Sequence, residues 1–431
     1  MPFPHLVTNF EDMIRRRFFL KILLIIPTVV ACRDGIGTAG DGGPDGGTDS
    51  GGGVHAPVDE SLEVFASDAL PRFYLTLSDE AVAALEQDPM VYQQGGFEYV
   101  SGDTGRTIVV DNVGIRLKGR ASFQPIGDKP GFKIKFSEFV SKQRFLGLRR
   151  LTLNNMVQDP AMARERLGYR FFRAVGAPAP RCHHAEVFVN GEYYGLYANV
   201  ESLDESFLDR HFSKPFGNLF DTSNEEYFVD MVPGNEYLFE LETNQEINDT
   251  SDLSQLIEVL DGPEGTFLHD VETVVDLDEF LLLGAAQAII ADWDGYFGAS
   301  NNYKIYHGGN GFVLLPWGID QTFNIIDNQY TMLDYRIDGT SSRRDNGVVF
   351  AKCKQDDACR ARYLDKVAEA LDVFERIDLE HELDAVLTQI EDAAGRDARR
   401  PYAESDIDYS IQKVREFITE RPDIVREQLA Q

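Results

Sequence analysis

Asp294, Asn302 and Asp320 are the side chains whose types and order best suit catalysis. They stand in Ala291-Asp292-Trp293-Asp294-Gly295-Tyr296, Asn301-Asn302-Tyr303-Lys304-Ile305-Tyr306 and Leu315-Pro316-Trp317-Gly318-Ile319-Asp320. A carboxylate beside an attacking hydroxyl accepts its proton and orients it. An amide oxygen and a second carboxylate ligate a hard cation such as Mg²⁺ or Mn²⁺. In order, the segments read as a helix end, a polar loop, a hairpin and a final acid, which suits phosphoryl transfer with Asp294 as base and Asn302 and Asp320 on the metal. The competing readings are that Asp292 and Asp294 cap the preceding helix, or that they form a hydrolase pair needing a histidine such as His307.

Phosphoryl transfer also requires cations for the donor's phosphates. In Gly131-Phe132-Lys133-Ile134-Lys135-Phe136 the apolar and basic residues alternate, so Lys133 and Lys135 share one face of a strand; Lys118 closes the strand before it. Lys133 is the favoured phosphate ligand of the three. Glu165, on the helix expected from Pro160 to Val175, is the carboxylate expected to hold that lysine. Glu201 follows a hairpin strand, where a hinge would meet adenine through backbone groups.

The elements that must position these residues follow from local signals. Strand-like runs appear at 62–66, 73–77, 107–110 and 113–118, and Ser78 is placed to cap a helix over 79–87. Asn190-Gly191 between two alternating runs predicts a hairpin over 185–197. From Ser251 the chain turns helical, with 276–290 the most apolar helix, 302–307 and 311–317 a hairpin, and further helices near 362–371, 379–394 and 406–420. The fold class is therefore α+β, a strand-rich half before a mainly helical one.

These segments resemble the spore-coat-protein-H (CotH) kinase-like family. The resemblance runs from Val113-Gly114-Ile115-Arg116-Leu117-Lys118-Gly119 through Phe132–Phe136, Leu151-Thr152-Leu153-Asn154, Gly195-Leu196-Tyr197 and Gly217-Asn218-Leu219-Phe220 to Asp294, Asn302-Tyr303 and Leu315-Pro316-Trp317 with Asp320. It implies a two-lobed atypical protein-kinase-like fold, with an N-lobe over 58–201 and a C-lobe over 202–431. It also implies transfer of phosphate from ATP, with Mg²⁺ or Mn²⁺, to Ser or Thr of extracytoplasmic proteins. The family usually shows Trp-Asp-x-Asp where this chain reads Trp317-Gly318-Ile319-Asp320. The missing first acid leaves open a pseudokinase that acts as a surface binding or assembly protein.

The N-terminus fixes the expected location. Arg15, Arg16 and Arg17 precede an apolar run over 18–31 that is too short to span a bilayer and ends Val29-Val30-Ala31-Cys32. Residues 1–32 therefore read as a signal peptide with a lipobox, carrying the lipid on Cys32, and 33–57 as a Gly/Asp-rich flexible linker. A lipoprotein of the bacterial cell envelope, facing the periplasm or the exterior, is expected. Among 431 residues, 41 Lys and Arg against 72 Asp and Glu give a net charge of −31. That field disfavours nucleic acid and anionic membrane surfaces and favours a basic protein partner. Cys353 and Cys359, six apart in a polar loop, are expected to form a disulfide in that compartment, with Cys182 left as a buried thiol.

Overall fold

Alternating burial along the strands of the N-terminal half closes them into a barrel. In the computed structural model, which describes residues 59–66, 68–222, 226–323, 332–341 and 344–431, this barrel comprises β1 (Arg72–Leu77), β2 (Gln93–Val100), β3 (Thr107–Lys118), β4 (Gly131–Lys135), β5 (Arg150–Asn154), β6 (Cys182–Val189) and β7 (Glu192–Val200). The order is β1-β2-β3-β4-β5-β7-β6, and the parallel pairing of β1 with β6 closes it. The signal, lipid-site and linker expectations fall outside the described residues.

Register explains which side chains face where. Ile115 pairs with Ile134 and Leu117 with Phe132, and Ile134 pairs with Leu151, so these side chains fill the barrel. Arg116 pairs with Lys133, and Lys133 with Thr152, so the opposite face of β3, β4 and β5 carries Arg116, Lys118, Lys133, Thr152 and Asn154. The β6–β7 turn uses Asn190 and Gly191 at φ 50° and 82°, the left-handed pair that a two-residue hairpin demands.

Between β5 and β6 runs the helix Arg164–Val175. Its start lies four residues past Pro160, because Asp159 accepts from the Arg164 amide at 2.9 Å and binds the Arg164 guanidinium at 2.6 Å, making the preceding residues a turn. It ends at Gly176, φ 99°, whose amide closes on Arg173. Its buried face joins the large core formed by the C-terminal helices Leu277–Ile289, Asp357–Arg376, Leu379–Arg396 and Glu404–Leu429.

A second sheet, ordered β11-β10-β8-β9, comprises β8 (Asn218–Thr222), β9 (Phe239–Leu241), β10 (Tyr303–His307) and β11 (Phe312–Pro316). The run expected as a strand at 62–66 is a short helix, Leu62–Phe65. Cys353 and Cys359 form a disulfide with Cα atoms 5.1 Å apart, and Cys182 is a buried free thiol. No helix among the described residues is long and apolar enough to cross a membrane.

Candidate active site

Past Asp278 and Glu279 in its first turn, the helix Leu277–Ile289 is buried on every side, so its C-terminal end is rigidly placed. Arg421, fully buried, fixes that end by donating to the carbonyls of Ala288 and Ile289 at 2.8 and 2.9 Å, and to Leu333 and Tyr335 at 2.7 and 2.6 Å. Ala291 then reverses the chain at φ 53°. Gln287 ties the following loop by donating to Asp292 Oδ2 at 2.8 Å and accepting from the Phe297 amide at 3.1 Å.

Asp294 emerges from this loop half-buried, with each carboxylate oxygen held by an amide. Asn301 donates to Oδ1 at 3.0 Å and Asn302 to Oδ2 at 2.8 Å. Those bonds aim the carboxylate. The β10–β11 hairpin explains how Asn302 meets a segment far along the chain: Asn302 stands just before β10, Trp317 just after β11, and the Trp317 amide donates to the Asn302 carbonyl at 3.1 Å. Gly318 follows at φ 58°, and a Cβ there would lie 3.0 Å from Asn302 Oδ1. The Asn302 amide oxygen is thus turned towards the segment that carries Asp320.

Asp294, Asn302 and Asp320 line one cavity of about 210 Å³, and Arg116, Lys118 and Lys133 line it from the barrel side. The Lys118 ammonium donates to Asn154 Oδ1, and Asn154 Nδ2 donates to Glu165 Oε1 at 2.7 Å. Glu165 therefore connects with Lys118 through Asn154. The lysine favoured from the sequence, Lys133, is placed elsewhere: its electrostatic neighbours are Lys304 and Arg116, with Asp221 and Glu242 opposing them. The physical reason is register, since Lys118 and Asn154 sit at the end of the sheet that meets the helix, and Lys133 is two pairs further along.

Burial shapes the charges here. It pushes the Glu165 carboxyl up, with Asp320 adding to the effect and Lys118 opposing it, and pushes Asp320 up likewise, aided by Asp159. Burial draws Lys118 down against the pull of Glu165 and Asp320. Lys133 falls to about 7 through burial first and then through Lys304 and Arg116. The buried Glu165 Oε2 atom has no hydrogen-bond partner. Two acids with one lysine between them, and a carboxylate oxygen left over, form a donor set that an added cation would balance.

Glu201 does not line that cavity: its side chain is 2% exposed and engaged by Arg181 at 2.8 Å and by Arg210 in a buried ion cluster behind β7, so only the backbone there is left for the expected contact with adenine. Asn154, Asn301 and Arg120 are cleft residues that the sequence reading did not single out. Asn154 was signalled by alternation with Leu151 and Leu153; Arg120 was not, because its partners lie far along the chain. It donates to the Glu226 carbonyl at 2.5 Å and stacks 3.2 Å from the Tyr227 ring, strapping the cleft mouth.

Residues 115–425 match the family model described as CotH kinase protein. The chain belongs to that family. Inner spore coat protein H of Bacillus subtilis (strain 168) is 28% identical over 195 residues, 43% of this chain and 53% of that protein. Invasin CotH3 of Rhizopus delemar is 26% identical over 192 residues, 40% of this chain and 31% of that protein. The chain thus spans about half or less of the length of these relatives. Among solved structures, the Helicobacter pylori proinflammatory kinase CtkA covers 73% of this CotH-family chain and 95% of its own at 8% identity and a TM-score of 0.30, a likeness too distant to carry weight.

Proposed function

We propose that this CotH-family protein is an ATP-dependent kinase that phosphorylates Ser or Thr of proteins outside the cytoplasm, tethered to the cell envelope by a lipid on Cys32. The observation that carries the reading is the polarised cleft. One wall presents Arg116, Lys118 and Lys133, and the other Asp294, Asn302 and Asp320. A triphosphate needs the first wall, and a hydroxyl acceptor with a divalent cation needs the second.

In this reading Lys118, steadied by Asn154 and through it by Glu165, binds phosphate oxygens. Lys133 adds a second cation. Asp294, fixed by Asn301 and Asn302, accepts the proton of the attacking hydroxyl. Asn302 Oδ1 and Asp320 would hold Mg²⁺ or Mn²⁺, which supplies charge neutralisation between the phosphates and the incoming group. Among the described residues no three His, Cys, Asp or Glu side chains converge as a metal cluster. The fit is instead that of a cation shared with phosphate, which takes only one or two protein carboxylates. The acid-rich composition supports a basic protein substrate.

A second reading is favoured by Gly318, which brings no oxygen to the place beside Asn302: a pseudokinase that keeps the fold as a surface binding or assembly protein. One experiment separates them. With labelled ATP, Mg²⁺ or Mn²⁺ and a basic protein acceptor, the kinase incorporates phosphate, and Asp294→Asn lowers the rate about 10²–10⁴-fold while ATP still raises the melting temperature. No incorporation and no metal-dependent ATP shift in the unsubstituted protein would leave the pseudokinase.

A further inference from the structure

The loop between β3 and β4, residues 119–130, lines the cleft with Gly119, Arg120, Ala121 and Ser122. Its remaining residues, 123–130, stand outside that cavity and are fastened elsewhere. Asn155, 3% exposed, donates through Nδ2 to the carbonyls of Ser122 at 2.9 Å and Lys129 at 2.8 Å, which closes the neck of the loop. Tyr194 of β7 donates to the Ile126 carbonyl at 3.1 Å, and Arg399 to those of Gly127 and Asp128 at 2.6 Å each. The deepest fastening is an ion pair. The Lys129 ammonium stands 2.5 Å from Asp397 Oδ2, and both side chains are buried.

Asp397 lies between the helices Leu379–Arg396 and Glu404–Leu429, far along the chain from the loop it holds. Its carboxylate also accepts from the Leu196 amide of β7 at 3.0 Å and from the Arg399 amide at 3.0 Å. Gly195 makes this approach possible: its φ is 119°, and a Cβ there would strike the Asp397 carboxylate. That accounts for the glycine of Gly195-Leu196-Tyr197, a motif to which the cleft itself gives no role. One carboxylate thus joins the cleft loop, the barrel and the C-terminal helices. Taking two charges out of water costs about as much as their attraction returns, so the pair adds little to stability over an apolar pair of the same volume. An apolar pair, however, would fill the space without holding the loop at one point.

We propose that Asp397 is a positioning residue for the cleft: through Lys129 it anchors the loop 119–130 to the C-terminal helices and so sets where Gly119, Arg120, Ala121 and Ser122 stand. Asn154 already steadies Lys118, and its neighbour Asn155 closes the loop, so two consecutive residues place both the lysine and the backbone beside it. A loop released from Lys129 would no longer meet the donor's phosphates at a fixed distance. That consequence rests on the kinase reading; the anchoring itself does not.

The test compares Lys129→Met, Asp397→Asn and the double variant in the full-length protein by urea unfolding, amide hydrogen exchange and phosphate transfer at varied ATP. Asp397→Asn strands a buried ammonium and should be the least stable; the double variant removes that charge and should recover stability. Amides of 119–123 should nevertheless exchange about tenfold faster in Lys129→Met and in the double variant, because the loop has lost its anchor. In both, KM for ATP should rise about tenfold while kcat stays within about twofold, the pattern of weakened ground-state binding. A pair that only stabilises the fold would give a double variant in which exchange and KM return to normal along with stability, and that result would overturn the proposal. Unchanged exchange at 119–123 in Lys129→Met would overturn it as well, whether or not the protein transfers phosphate. Faster exchange in a protein that transfers none would keep the anchoring and remove the kinase reading.

Discussion

Replacing Asp292 by Asn should change how the stability of this protein depends on pH. Asp292 is 1% exposed, accepts one hydrogen bond from Gln287, and leaves Oδ1 without a partner. Burial raises its carboxyl from 3.8 to about 8. Between those values the unfolded chain has released this proton and the folded chain retains it, so folding takes up a proton. The stability contributed by this group therefore falls as pH rises from about 4, and the fall ends near about 8, where the folded carboxyl ionises as well. The slope is about 1.4 kcal/mol per pH unit, so from about pH 5 to about pH 7 the unsubstituted protein should lose on the order of 2–3 kcal/mol through this residue alone. Asn has the same shape and no proton to lose. Glu165 and Asp320 titrate in both proteins and cancel in the difference. Urea unfolding at the two pH values measures it: Asp292→Asn should gain on the unsubstituted protein by that amount at the higher pH. Parallel stability–pH curves would show that Asp292 is ionised in the fold and would refute the reasoning.

Two further outcomes follow from the same loop. Arg421→Met should cost about 3–5 kcal/mol, because four buried carbonyls lose their donor together; a loss under about 1 kcal/mol in chemical denaturation would mean water or another side chain takes over. Gly318→Ala should cost about 1–2 kcal/mol, since φ is 58° and the new Cβ meets Asn302 Oδ1 at 3.0 Å. The same variant should reduce the metal-dependent melting shift with ATP, and an unchanged shift would separate Asn302 from the cation.

Much of the frame was legible because local chemistry decided it. Asn190-Gly191 fixed a hairpin, Ser78 accepts from the Ala81 amide at 3.2 Å to cap Asp79–Gln87, and Asp276 caps the apolar helix that leads to the cleft. What failed locally was decided by distant parts of the chain. β2 opens Gln93-Gln94-Gly95-Gly96, which has no strand propensity; Gly95 is required because a Cβ there would lie 2.6 Å from the Thr76 carbonyl of the neighbouring strand. The run at 62–66 is too short for periodicity to distinguish strand from helix. Glu201 sits where a strand ends in the chain, but its partners Arg181 and Arg210 come from either side of it and draw the carboxylate inward.

The pairing of Glu165 shows where sequence reasoning stops and register begins. Lys118 and Lys133 are both strand lysines on the same face, and composition gives no ground for choosing between them. The antiparallel pairing of β3 with β4 places Lys118 opposite Gly131 and Lys133 opposite Arg116. Only the first position leaves room, across a glycine, for a lysine to reach Asn154 on β5, and only Asn154 faces the first turn of the helix that carries Glu165. Lys133 instead stands between two cations, Arg116 and Lys304, where burial and repulsion weaken its hold on its own proton. Lys118 is positioned through Asn154 and keeps Glu165 and Asp320 as acid neighbours, whereas Lys133 has Arg116 and Lys304 beside it, with Asp221 and Glu242 opposing them.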